Sequence, residues 1–282
     1  MYIDKDQNII NGETAQDRLL RRIYSSRVLR LFIKPFTYPG FSKAAGKFLD
    51  SPLSKFLIKP FIKSNNIDMR DYKADGYRSF NGFFTRKINP GARKIDDAKI
   101  ISPSDGKVSA YKIDSSSVFE IKNSKYCVAS LLRSRKLAEK FMGGTAVVIR
   151  LCVDDYHRYC YALSGTKGED RKISGFLHTV NPAAFDAVSV FCENSREYCV
   201  IKSDETLAVQ MEVGALMVGK ITNLTSCPAK VTKGEEKGYF EFGGSTIVLL
   251  LQKGVEIRGK FLENTRLGLE TLVSLGNPLS ID

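Results

Sequence analysis

The sequence is poor in residues that bind metals. It contains two histidines in 282 residues, His157 and His178, and neither begins a cluster of ligands. Its six cysteines include no pair in CxxC spacing, and most of them lie in apolar, strand-like surroundings. Structural zinc sites need closely spaced cysteines and histidines, and disulfide frameworks belong to oxidising compartments. We therefore expect no metal site and six reduced thiols.

Long hydrophobic segments are also absent. No apolar run reaches the roughly 20 residues that span a bilayer. The N-terminus, MYIDKDQNII, lacks the basic and apolar regions of a signal peptide. The chain length and a hydrophobic content of 43% are typical of a globular protein with a substantial core. We therefore expect the protein in the cytoplasm or, as a peripheral protein, on the cytoplasmic face of the cell membrane.

Positive charge is plentiful and concentrated near the N-terminus. The formal net charge is +12, and residues 17–63 alone contain 11 Lys/Arg and 2 Asp. Residues 15–34 have apolar side chains at helical spacing, and residues 41–63 mix Phe and Leu with lysines. Such basic helices are typical of contact with anionic lipid. They are equally typical of a helical subdomain with a solvated basic face, and composition leaves both interpretations open.

Nucleic acid is not an expected partner. No helix-turn-helix, zinc-finger or RNA-recognition signature accompanies the basic residues.

The pattern changes near residue 98, which divides the chain into a region 1–98 and a region 99–282. From residue 100 onward, short β-like runs alternate with turn residues, and helical periods are scarce apart from a short stretch near Ser130–Phe141. We predict an α+β protein, with a basic helical N-terminal region packed on a mostly β, barrel-like body. The runs are Lys107–Ile113, Ala146–Val153, Tyr198–Ile201, Leu207–Val213, Ala215–Ile221 and Thr246–Leu251.

Phe242-Gly243-Gly244-Ser245-Thr246 comes directly before the last of these runs. Two glycines permit backbone conformations that a Cβ would forbid, and they leave the Gly244 carbonyl open to close approach. Alone, this pattern favours an ordinary tight turn into a buried strand.

Three further stretches place titratable or turn residues beside strands. Asp105 precedes a glycine and favours a turn, His157 ends an apolar run, and His178 lies three residues before the turn signal at Asn181-Pro182. With only two histidines, any general acid or base comes from a short list.

Seven stretches together resemble phosphatidylserine decarboxylase, a pyruvoyl-dependent family. They follow the order of the family and cover roughly residues 75–255. The stretches are FNGFFTRKINPGAR (80–93), SPSDGKV (102–108), DYHRYCY (155–161), FLHTVNP (176–182), ENSREY (193–198), MEVGALMVGKI (211–221) and KGEEKGYFEFGGST (233–246).

The resemblance implies that the chain is a proenzyme that cleaves itself between Gly244 and Ser245. Ser245 Oγ would attack the Gly244 carbonyl, and β-elimination would release a β chain, 1–244, and an α chain, 245–282. The new N-terminus of the α chain would carry a pyruvoyl group, which would form a Schiff base with phosphatidylserine. Loss of CO2 would then give phosphatidylethanolamine.

By motif, the resemblance assigns Asp105, His157 and Ser245 to a charge relay for self-cleavage. Many family members carry a second histidine where this chain has Cys160. Two interpretations stay open: His157 does the proton work, which we favour, or His178 assists in a rearranged site. His178 and Asn181 are also expected near the substrate.

A lipid substrate favours the membrane interpretation of the basic region. The expected partners are an anionic phospholipid membrane and the two chains of the cleaved protein; the oligomeric state is left open, a homodimer included. Two other functions remain open: a pyruvoyl-dependent decarboxylase of a small amino acid, and a β-barrel module that binds membranes without processing.

Overall fold

The computed structural model describes residues 1–10, 22–26, 29, 37, 39–72, 76–121, 124–180, 190–215, 220–243 and 245–281. The strands are β1 (Tyr2–Ile3), β2 (Ile9–Ile10), β3 (Gly106–Lys112), β4 (Val118–Ile121), β5 (Ser124–Cys127), β6 (Thr145–Leu151), β7 (Arg158–Cys160), β8 (Gly165–Lys167), β9 (Arg171–Ile173), β10 (Arg196–Lys202), β11 (Leu207–Gly214), β12 (Ile221–Asn223), β13 (Ala229–Val231), β14 (Glu236–Phe240), β15 (Ser245–Leu251) and β16 (Glu270–Val273). The helices are α1 (Pro39–Asp50), α2 (Ile58–Ser64), α3 (Phe80–Phe84), α4 (Val128–Leu132), α5 (Arg135–Ala138), α6 (Val190–Glu193) and α7 (Gly259–Arg266), with 3-10 turns at Pro52–Leu57 and Glu139–Phe141.

One large sheet forms the centre of the molecule. Its order is β13-β8-β10-β11-β15-β6-β3-β16-β1-β2, with β9 paired to β10. Strand β15 lies between β11 and β6, antiparallel to both, and all seven of its residues are buried. Because successive side chains of a strand point to opposite faces, Val248 and Leu250 enter one core while Ile247 and Leu249 enter the other. Burial on both faces explains why this strand is an unbroken apolar run.

The α+β class is confirmed, since helices accompany a mostly β structure. The barrel-like shape is not confirmed. Among the described strands, β13 and β2 end the large sheet and do not pair with each other, so the sheet is open. Strands β1 and β2 belong to this sheet, so it contains residues from both sides of position 98. The boundary at 98 remains a prediction.

A small sheet and a helical cluster lie next to the start of β15. The small sheet has the order β12-β14-β7, and β14 leads into the segment before Ser245. The helical cluster joins α1, α2 and α3 through buried Leu49, Ile58 and Phe84, with Phe61 and Phe242 packed against it. Phe242 therefore packs against the helices directly before residues 243–244, which we call the glycine segment.

The predicted helix at 15–34 lies mostly outside the described residues. Within it, residues 22–25 are helical and Tyr24 is buried in the core. Of the helices that are described, none is long and apolar enough to cross a membrane.

Candidate active site

Ser245 is the first residue of β15, between Gly214 of β11 and Leu151 of β6. Its side chain is fully buried, and its Oγ has no hydrogen-bond partner in the described part of the chain. Two residues earlier, Gly243 has a φ of 136°, a conformation that residues with a Cβ rarely adopt. Gly244 lies outside the described residues. An unsatisfied buried hydroxyl is costly in an ordinary core, so Ser245 is a candidate for chemistry.

His157 contacts the chain segment that leads to Ser245. It follows β6 through a short turn, and its carbonyl accepts a hydrogen bond of 2.9 Å from the Phe240 amide. Its ring centroid is 4.1 Å from that of Phe84, and Phe84 lies 5.1 Å from Phe242. Phe84 thus packs on the imidazole and on Phe242, the residue before Gly243.

The hydrogen bonding of His157 fixes its tautomer. Nδ1 lies 2.9 Å from the Asp155 carbonyl oxygen; this oxygen only accepts, so Nδ1 carries the proton and Nε2 holds the lone pair. Among the described residues, the buried Nε2 has no hydrogen-bond partner. The pKa of His157 is lowered to about 3, mainly by burial and to a lesser degree by the Arg86 charge, while the backbones of Asp155 and Gly243 act in the opposite direction. A neutral imidazole with a free lone pair is suited to accept a proton.

Asp105 is held by cationic and backbone donors. Its carboxylate accepts hydrogen bonds of 2.9 and 3.3 Å from Arg93 and of 2.7 Å from the Leu275 amide. Among the hydrogen bonds of the described residues, none joins Asp105 to His157. The turn that contains Asp105 instead contacts β7, where the Cys160 amide donates to the Pro103 carbonyl at 2.9 Å. The relay contact between Asp105 and His157 remains a prediction.

Cys160 is a neutral thiol in this structure. It is 2% exposed, and burial raises its pKa to about 12, with a smaller contribution from the negative charge of Asp105. A thiol with this pKa is a poor base near neutral pH. Cys160, which stands where the resemblance leads one to expect a second histidine, therefore experiences the Asp105 charge but stays protonated.

His178 lies on the other side of β11. Its Nε2 is 3.7 Å from the Glu193 carboxylate. Asn194 links the backbone of His178 to the site, because its amide donates at 2.7 Å both to the His178 carbonyl and to the carbonyl of Gly214, the strand partner of Ser245. Asn181, the other residue expected near the substrate, lies outside the described residues.

Two residues of the site received no role from sequence reasoning. Asn81 accepts a hydrogen bond of 3.2 Å from the Phe242 amide and donates one of 2.9 Å to Asp50 of α1. Asp155 orients His157 through its backbone carbonyl. The sequence signal for Asn81 was a polar residue inside the apolar stretch FNGFF, because a buried amide needs hydrogen-bond partners. The role of Asp155 had no such signal, because a backbone contact does not depend on the side chain.

One group of potential metal ligands occurs among the described residues: Cys152, Asp154 and Asp155, whose ligand atoms lie within 4.8 Å of one another. The Cys152 sulfur is 3.4 Å from Lys107 Nζ and 3.2 Å from an Arg150 nitrogen. These cations oppose the binding of a metal ion, and we assign no metal to the cluster.

The pKa of His157 predicts a pH-dependent stability. The folded state binds this proton less readily than the unfolded chain, so the stabilising effect of neutral His157 is complete above about pH 6.5 and is lost as the pH falls towards 3. In the Ser245→Ala chain, the free energy of unfolding should fall over this range by up to about 1.4 kcal/mol per pH unit more steeply than in Ser245→Ala/His157→Gln. Urea titrations from pH 4 to 7 measure both slopes.

Asp155 has the opposite effect, because burial and the nearby Asp154 charge raise its pKa to about 7. Both chains contain Asp155, so its effect cancels when their slopes are compared. Equal slopes in the two chains would show that His157 is not buried in its neutral form.

Comparison with known proteins places the chain in a family. A family model described as phosphatidylserine decarboxylase matches residues 80–272. The phosphatidylserine decarboxylase proenzyme of Clostridium perfringens (strain SM101 / Type A) is 46% identical over 259 residues, covering 89% of this chain and 87% of that protein. The proenzyme of Clostridium tetani is 39% identical over 286 residues, covering 99% and 96%. Two thirds of the chain lie within the family match and almost all of it aligns with relatives, so the chain belongs to the phosphatidylserine decarboxylase family.

Proposed function

We propose that this protein is a phosphatidylserine decarboxylase proenzyme that cleaves itself between Gly244 and Ser245. The observation that carries the proposal is that two polar atoms, Ser245 Oγ and His157 Nε2, are buried without hydrogen-bond partners among the described residues. Ser245 follows the two glycines directly, and the Gly243 backbone interacts with His157. The family and the names of the relatives support the same activity.

In the first step, His157 Nε2 takes the proton of Ser245 Oγ while Oγ attacks the Gly244 carbonyl carbon. The peptide C–N bond breaks, the amine of Ser245 takes up a proton, and an ester links the two residues. Removal of the Ser245 Cα proton then breaks the Cβ–Oγ bond, and Gly244 leaves as a carboxylate. The dehydroalanine that remains reacts with water, loses ammonia and becomes the pyruvoyl group of the α chain.

Asp105 completes the proposed set of three residues. Its hydrogen bonds go to Arg93 and Leu275, so we propose that it acts on the cleavage site by fixing the turn against β7 and by its charge. The orientation of His157 comes from the Asp155 carbonyl. These roles predict that removing the Asp105 carboxylate slows cleavage less than removing the His157 imidazole does.

The residues present fit a pyruvoyl group at position 245. Ser245 has no side-chain partner to lose on conversion, and the surrounding burial excludes bulk water. When formed, the group supplies an electron sink for the carbon that loses CO2. His157 is neutral near pH 7, so its Nε2 can take a proton from the ammonium group of the substrate and return that proton to the carbon.

The proposed membrane contact is the surface formed by α1, the 3-10 turn and α2. Large apolar side chains are exposed there: Phe48 is 47%, Leu53 is 75% and Phe56 is 68% exposed. Exposed Lys55 and Lys59 lie among them. Apolar side chains that enter the headgroup layer next to lysines fit an anionic bilayer. This surface also favours a lipid substrate over a small free amino acid, which would have no use for it.

Cleavage of purified variants tests the proposal. We expect Ser245→Ala to remain one chain and His157→Gln to cleave at least about a hundredfold more slowly than the wild type, since general base catalysis contributes roughly 10²–10⁴-fold. Asp105→Asn should slow cleavage less than His157→Gln. Denaturing mass spectrometry at timed intervals after synthesis measures the fraction cleaved.

His178→Gln is the matched control for the loss of a histidine and should cleave like the wild type. Normal cleavage of His157→Gln combined with slow cleavage of His178→Gln would refute the assignment and favour His178 as the base.

Vesicle binding tests the membrane surface. We expect the protein to sediment with vesicles that contain anionic lipid and to be released as salt rises, because exposed charges are screened. Leu53→Ser/Phe56→Ser should weaken binding by roughly tenfold or more, from the apolar area lost. Leu267→Ser, which removes an apolar side chain that is 64% exposed elsewhere, is the control. Binding to neutral vesicles that does not change with salt would contradict the electrostatic part.

A further inference from the structure

Two arginines are buried among the described residues, Arg86 and Arg196, and they differ in their hydrogen bonds. Arg196 donates to the carbonyls of Leu131, Cys192 and Asn194 at 2.8 to 2.9 Å and to that of Ser130 at 3.1 Å. Arg86 is 1% exposed, yet its Nε and Nη1 have no hydrogen-bond partner among the described residues. Its Nη2 donates a long hydrogen bond of 3.5 Å to the Asp154 carbonyl.

No carboxylate of the described residues forms an ion pair with Arg86. The partly buried arginines nearby do have such partners: Arg93 pairs with Asp71 and Asp105, and Arg158 pairs with Glu236. Arg86 instead lies over the faces of Tyr72, at 4.4 Å, and Phe83, at 5.0 Å. Aromatic faces do not replace a counter-ion, and a buried charge without one costs several kcal/mol. Among the described residues, the charge of Arg86 is therefore left without an anion, and its position is suited to binding one.

A cavity of about 290 Å³ adjoins Arg86, close to the lower end of the range for ligand pockets. Lys87 and Arg158 also line it, and Gly76 and Gly82 leave part of its wall free of side chains. Lys87 is exposed. The carboxylate of Glu236 offsets the charge of Arg158, so Arg86 and Lys87 supply the uncompensated positive charge of the cavity.

The cavity is linked through α3 to both the reacting residues and the proposed membrane surface, since Gly82 of α3 lines it. Phe84 of α3 packs on His157 with 4.1 Å between ring centroids. Phe83 and Phe84 also belong to the helical cluster that contains Leu49 of α1 and Ile58 of α2.

We propose that Arg86, assisted by Lys87, binds the phosphodiester of the lipid substrate. Nε and Nη1, the guanidinium donors that lack partners, can each donate to a phosphate oxygen. Either of them together with the weakly bound Nη2 forms a planar fork that binds two phosphate oxygens. The inference rests on the proposed function and names the residue that recognises the headgroup.

The substrate carboxylate is the less suitable occupant. A cation that holds the carboxylate tightly stabilises the ground state and loses its partner when CO2 leaves, which slows the reaction. The phosphodiester keeps its charge throughout the reaction. Its binding energy is the same in the ground state and the transition state, so the loss of Arg86 should raise KM and leave kcat nearly unchanged.

The first test measures CO2 release from phosphatidylserine in mixed micelles by fully cleaved enzyme. For Arg86→Gln we expect KM to rise roughly tenfold or more, because hydrogen bonds to charged groups contribute about 1.5–3 kcal/mol, with kcat within about threefold of the wild type. Arg86→Lys should show a smaller rise. Arg78→Gln, which removes an exposed arginine outside the cavity, should behave like the wild type.

The second test uses the wild-type protein and therefore does not depend on whether an Arg86 variant folds. In the wild-type, cleaved, ¹⁵N-labelled protein, the Nε–H signal of Arg86 should shift on titration with glycerophosphocholine and stay in place with choline, which lacks the phosphate. Neither compound has an amine that can react with the enzyme.

The outcomes separate this inference from the proposed function. A wild-type protein that is cleaved but releases no CO2 from phosphatidylserine refutes the proposed function. If the wild-type protein is active, either of two results refutes the phosphate site alone. One is an unchanged KM in Arg86→Gln, and the other is an Arg86 Nε–H signal that does not shift with glycerophosphocholine. A rise in kcat together with KM would place Arg86 at the carboxylate, and a fall in kcat at unchanged KM would place it at an interaction made only in the transition state. Either result would also overturn the proposal.

Discussion

The hydrogen bond from His157 Nδ1 to the Asp155 carbonyl decides what the site can do. It fixes the proton on Nδ1, so the lone pair of Nε2 faces the interior. Burial keeps the ring neutral, with a pKa of about 3, and the packing of Phe84 holds its orientation. A base that is neutral, oriented and without a partner needs no rearrangement before it accepts a proton.

The large sheet supplies the second constraint. Strand β15 is paired on both sides and buried on both faces, so the position of Ser245 is fixed by seven residues of regular pairing. The residues before it are held from the other direction, because Asn81 binds the Phe242 amide and Phe242 packs into the helical cluster. The glycine segment lies between these two anchors, and Gly243 has the positive φ of a tight change of direction.

The central strands were predictable because burial on both faces leaves long apolar runs. The stretch Leu207–Val213 corresponds to Leu207–Gly214 in the structure, and Thr246–Leu251 corresponds to Ser245–Leu251. The helix expected near Ser130–Phe141 is divided into shorter turns, with Arg133 in the left-handed conformation between them. Apolar spacing does not report such a local reversal of the backbone.

The candidate site was predictable only in its reactive residues. Motifs identified Ser245, His157 and Asp105, but their contacts depend on tertiary structure: Asp105 binds Arg93, and His157 binds a backbone carbonyl. That Arg86 Nε and Nη1 have no hydrogen-bond partner among the described residues is likewise visible only in the folded chain. Sequence patterns identify which groups are present, whereas the pairing of charges follows from the fold.

The measurement that tests the central claim most directly is the mass of the purified wild-type protein under denaturing conditions. The account predicts two chains, residues 1–244 and residues 245–282, with the smaller chain blocked at its N-terminus by a group that reacts with hydroxylamine or borohydride as a ketone does. A single chain of 282 residues that persists on incubation would contradict it.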